Sequence, residues 1–113
     1  MTYQDFRRIL LDASEFEDVE HYIAEVGGSL PETIHDKDVI PLMSDLYAFS
    51  REHSARCIRE IAGLSQADFS REYKIPKRTL ENWETNGQSS RTAPEYVLDM
   101  LAYAVICDKY LRM

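Results

Sequence analysis

Between Lys77 and Trp83 the chain sets hydrogen-bonding and cationic side chains, Lys77, Arg78, Thr79 and Asn82, around the apolar Leu80 and Trp83. On a helix, Leu80 and Trp83 share one face at i, i+3, which leaves the polar set on the outer face or at the amino end. A guanidinium, an amide and a hydroxyl on one short helix can meet base edges in a DNA major groove, and a planar guanidinium can take O6 and N7 of one guanine together. Glu81 runs against that chemistry, because a carboxylate near phosphate is repelled unless it accepts from a cytosine amino group. The cluster Arg71, Lys74, Lys77 and Arg78 also fits a solvated charged face.

The residues just upstream would position such a helix. Ser65 is an N-cap residue whose hydroxyl can accept a free backbone N–H of a helix beginning at Gln66. Phe69 and Tyr73 form an apolar stripe at i, i+4, and the small Ala67 and Ser70 allow another helix to approach. Lys74-Ile75-Pro76 then reads as a three-residue turn with Ile75 as a buried plug. Over residues 58–84 this pattern resembles the phage-repressor-like (Xre/Cro) helix-turn-helix regulators, and with the last helix the resemblance extends over about residues 54–105. It implies a lambda-repressor-like bundle in which Gln66 contacts phosphate and Lys77, Arg78, Thr79 and Asn82 reach base edges and flanking phosphates. The resemblance makes Trp83 and Glu84 the pair that ends the recognition helix, with Trp83 chiefly structural. Lys74 stands where those regulators usually carry a left-handed glycine, and Pro76 where they carry a Ser or Thr cap. Arg71, and Arg91 in the polar loop that follows, are further phosphate-contact candidates, although a solvated surface or a connecting loop accounts for them equally well.

Other chemistries find little support. His21, His35 and His53 are isolated from one another and from Cys57 and Cys107, so no zinc-ligand spacing exists. No nucleophile with a paired base stands out, and Gly27-Gly28 is a doublet rather than a phosphate loop. We expect no catalysis, no metal and no cofactor, with both cysteines reduced in a helical core.

A chain of 113 residues with 44% hydrophobic and 29% charged residues has the make-up of one globular unit. No uninterrupted apolar stretch serves as a secretory signal or a membrane span, so a cytoplasmic location is expected. A net charge of -7 opposes nucleic-acid binding for the chain as a whole. The acid is uneven: residues 1–53 hold 12 Asp and Glu against 4 Lys and Arg, whereas residues 54–113 hold 8 against 9.

Helical periodicity recurs and strand alternation does not, so the fold class is all-α. Residues 1–53 read as an acidic helical extension, with helices over Tyr3–Ala13, Glu15–Val26 capped by Ser14, and about 36–52 capped by Asp36. The first two are expected to form a hairpin, and Pro41 fits the third only near its first turn. Residues 54–113 read as the DNA-binding unit, with helices over 55–62, 66–73, 77–84 and 95 to about 111. The last is apolar on more than one side, which suits packing against the amino-terminal helices or a second chain. The expected partner is duplex DNA, bound by a homodimer whose two half-sites lie roughly 34–36 Å apart. A different reading makes the acidic residues 1–53, with Asp12, Glu15, Glu17, Asp18 and Glu20 close together, a surface that neutralises a cationic protein partner, as in an antitoxin or inhibitor.

Overall fold

The computed structural model describes residues 1–85 and 93–111. The described residues form seven α-helices and no strand: α1 (Tyr3–Asp12), α2 (Val19–Val26), α3 (Asp36–Arg51), α4 (Ala55–Ala62), α5 (Gln66–Tyr73), α6 (Lys77–Glu84) and α7 (Glu95–Tyr110). Two 3₁₀ turns, Ala13–Glu15 and Gly27–Ser29, follow α1 and α2.

Local chemistry sets most of these boundaries. Thr2 and Asp5 close a capping box on α1, each side chain taking the other's backbone N–H, at 3.0 and 3.3 Å. Ser54 and Ser65 cap α4 and α5 through the N–H groups of Cys57 and Asp68, both at 3.1 Å. Gly63 ends α4 in the left-handed conformation at φ 72°.

Three expectations are corrected. The second helix begins at Val19 rather than Glu15, because Asp18 accepts the His21 N–H at 2.8 Å, while the Ser14 hydroxyl donates back to the Leu11 carbonyl at 2.8 Å. His35, not Asp36, occupies the cap position of α3, and Asp36 and Asp38 instead put negative charge into its first turn. Pro41 lies beyond that first turn and is exposed, so the Lys37 carbonyl that loses its usual donor lies at the solvent side.

One core spans the whole arrangement. Phe6, Ile9, Tyr22, Leu42 and Phe49 from the first 53 residues join Ile58, Phe69, Leu80, Val105 and Ile106 in a single buried cluster. Full burial of side chains of this size contributes about 1.5–3 kcal/mol each. The polar atom of Tyr22 is satisfied inside that core by donating to the Ile9 carbonyl at 2.7 Å. Arg51 fastens the end of α3 to the α1–α2 connection, donating to the Phe16 carbonyl and to the Tyr47 hydroxyl, the latter at 2.7 Å. α2 packs on both α3 and α1.

α7 packs against α4, α1 and α3, which accounts for its apolar residues on several sides. Asp99 on α7 is buried, and it meets His53 Nε2 at 2.7 Å and Arg7 Nη1 at 3.6 Å. Cys57 is buried and Cys107 half-buried, both as free thiols, and burial pushes the Cys57 thiol up to about 11. No described helix is long and apolar enough to cross a membrane.

Candidate nucleic-acid interface

α5 and α6 are eight residues each and are joined by Lys74, Ile75 and Pro76 alone. The turn is held from both sides of Ile75: its N–H donates to the Ser70 carbonyl at 3.0 Å, and its carbonyl accepts the Ser70 hydroxyl at 2.5 Å. Ile75 itself is half-buried against the core. Lys74 takes φ 55° and ψ 40°, the left-handed region expected at this position, and it is the one non-glycine residue with positive φ among the described residues. Of the two small residues of α5, Ala67 is exposed and Ser70 is half-buried at the turn.

The back of α6 is anchored at three points. Leu80 is fully buried, Trp83 packs half-buried on the core, and Glu84 is clamped by Arg59 of α4. Arg59 Nε and Nη2 meet the two Glu84 oxygens at 2.9 Å each, while Arg59 Nη1 donates to the Leu64 carbonyl at 3.0 Å. The hydrogen bonds to Glu84 hold the guanidinium's pKa above its ordinary value. Sequence reasoning missed this pair. The available signal was the i, i+4 spacing of Leu80 and Glu84, which places a carboxylate on the inward face and requires a partner there. α5 gains a further tie through the Tyr73 hydroxyl, which donates to Asp108 of α7 at 2.9 Å.

The outer side of α6 presents Lys77, Arg78, Glu81 and Asn82 as exposed residues, with Thr79 half-buried beside them. The side chains of Lys77 and Arg78 make no ion pair or hydrogen bond with any other described residue. Their placement is electrostatically unfavourable for the helix alone. The first turns of α1, α2, α3, α5 and α7 all carry Asp or Glu, which the positive end of a helix dipole favours, whereas α6 puts two cations there. Such an arrangement costs several tenths of a kcal/mol per charge and is offset when an anion sits against it.

Gln66 is half-buried at the first position of α5, where it lines an open cleft of about 450 Å³ with Arg56, Arg59, Glu81, Glu84 and Thr85. Arg71 is exposed and paired with Asp68 one turn earlier, so its charge is already partly answered. Arg91, and the loop over residues 86–92 read as a possible phosphate contact, lie outside the described residues. The described residues hold no group of His, Cys, Asp and Glu arranged to bind a metal ion. Comparison with protein-family models, with curated proteins and with solved structures finds no match to this chain.

Proposed function

We propose that this chain is a sequence-specific DNA-binding transcriptional regulator, a dimeric repressor that reads a two-fold operator by laying α6 in the major groove. The observation that carries the reading is the pair of cations without a partner among the described residues, Lys77 and Arg78, in the first turn of a helix whose back is fixed by Leu80 and Glu84. Rigid anchoring behind and free charge in front are what groove entry requires. The resemblance of residues 58–84 to phage-repressor-like regulators supports the same conclusion, with Gln66 on phosphate and Arg78, Thr79 and Asn82 toward base edges. The acidic surface does not oppose it, because α2 packs on α3 and α1 while α5 and α6 pack on α4. Selection from a random duplex pool tests the reading: enrichment of a two-fold motif supports it, and no enrichment at low salt overturns it.

A second reading is favoured by one observation. Glu15, Glu17 and Glu20 are exposed around the start of α2 and form no salt bridge among the described residues. As a surface for a cationic protein it would make the chain an inhibitor or antitoxin that also controls its own promoter. Purification from the native host separates the readings, since a chain recovered always alone counts against this one.

A further inference from the structure

Lys74 is held in a conformation that its own side chain opposes. It is the one non-glycine residue with positive φ among the described residues, at 55°, and glycine would take the same backbone without the Cβ clash. The turn imposes the conformation: the Lys74 and Ile75 N–H groups both donate to the Ser70 carbonyl, and the Ser70 hydroxyl donates to the Ile75 carbonyl. Backbone strain of this kind persists where the surrounding structure over-determines it, and it collects at binding sites.

Nothing inside the described chain uses the lysine head group. Lys74 is exposed, and its side chain makes no ion pair or hydrogen bond with any other described residue. Arg71, three residues earlier, is answered by Asp68 and already sets a cation in the last turn of α5. A second cation at that exposed end gains less from the helix dipole than a Cβ costs in the left-handed region. The lysine therefore lowers the stability of the fold without restoring it through a contact of its own.

Its place in the turn supplies an external partner. Lys74 is three residues before Lys77, so its Cα lies no more than about 11 Å from the start of α6. The DNA major groove is about 12 Å wide, so a helix along its centre has phosphate walls about 6 Å to either side. A long flexible side chain leaving the backbone just before that helix reaches such a wall, and an ammonium is a point charge suited to phosphate.

We infer that the Lys74 ammonium contacts a backbone phosphate of the bound duplex at the rim of the groove. The inference rests on the reading that α6 enters the major groove, and it explains why a lysine stands where glycine gives the more stable fold. Lys74 then trades stability for affinity, and substitution moves the two in opposite directions.

The test is fluorescence anisotropy of the full chain on a labelled mixed-sequence duplex across a salt series, with thermal unfolding alongside. Lys74→Gly and Lys74→Asn keep a residue that accepts the left-handed turn but remove the charge. Each is expected to shrink the slope of log affinity against log salt by about 0.9, so that the wild-type advantage falls about 3.5-fold between roughly 50 and 200 mM salt. Lys74→Gly should do so while melting above the wild type, which separates lost affinity from lost structure. Lys74→Arg, which keeps the charge, and Lys37→Ala, which removes an exposed charge on α3, are expected to keep the wild-type slope. A wild-type slope in both Lys74→Gly and Lys74→Asn overturns this inference alone, as does an equal loss in Lys74→Arg or Lys37→Ala. A wild type that binds no duplex at low salt overturns it together with the DNA reading.

Discussion

Arg59 on α4 and Glu84 at the end of α6 form a double contact, nitrogen to oxygen at 2.9 Å twice, with only 5% of the Glu84 side chain and 19% of the Arg59 side chain exposed. Together with Leu80 this fixes the helix that carries Lys77 and Arg78. Removing one member of a largely buried pair leaves the other charge uncompensated, so Glu84→Gln is expected to destabilise the fold by about 3 kcal/mol. Urea unfolding measures it, and a double-mutant cycle with Arg59→Gln should return a coupling well above that of an exposed pair. If Glu84→Gln leaves the midpoint unchanged, the clamp is not what holds α6.

Lys74 carries the left-handed turn between α5 and α6 at φ 55° with a side chain that disfavours it. Its Cβ costs on the order of 1–2 kcal/mol in that conformation, and glycine removes the cost while adding some unfolded-state entropy. Lys74→Gly is therefore expected to stabilise the chain by about 1 kcal/mol, and Lys74→Val to destabilise it, because a β-branched residue fits that region worst. Thermal unfolding of the two variants gives opposite shifts; a matching sign for both refutes the account.

How far the sequence reveals this molecule depends on the range of the interactions. The limits of α4 and the start of α5 are readable because Ser54, Gly63 and Ser65 act within three residues of the ends they define. The start of α2 is ambiguous for the same reason, since Ser14 and Asp18 are both capping residues and the choice turns on Ser14 donating to Leu11 instead. Long-range pairings leave almost no local trace. Asp99 looks like a surface residue of an amphipathic helix, yet it is buried against a histidine 46 residues away. Arg59 and Glu84 likewise meet across 25 residues, and only the inward spacing of Glu84 hints at it. The α5–α6 pair is the legible part of the candidate site.

The groove assignment separates Lys77 from Arg78. Lys77→Ala is expected to weaken binding to every sequence alike and to shrink the slope of log affinity against log salt by about 0.9, one phosphate contact's worth. Arg78→Ala is expected to cost about 1–3 kcal/mol at the selected operator and to relax preference at one base pair. Fluorescence anisotropy across a salt series, with operator and scrambled duplexes, distinguishes the two. Unchanged operator affinity in a Lys77→Ala, Arg78→Ala double variant would place the DNA contact elsewhere.

The cap of α2 should report pH. Asp18 accepts both the His21 backbone N–H and its ring Nδ1 at 2.8 Å. The His21 hydrogen bonds, backbone first, draw the Asp18 pKa below its ordinary 3.8, and the hydrogen bond to Asp18 lifts that of His21 above its ordinary 6.5. The carboxylate's contribution is therefore full above its unfolded value and lost as pH falls through the lowered one. The imidazolium's is full below its unfolded value and lost as pH rises through the raised one. Between those two limits the start of α2 is at its firmest, and protection of the His21 amide, with exchange rates corrected for pH, is expected to peak there. An NMR titration of the His21 ring should show a raised midpoint that returns to the ordinary value in Asp18→Asn. A midpoint indifferent to that substitution would show that the ring and the carboxylate do not pair in solution.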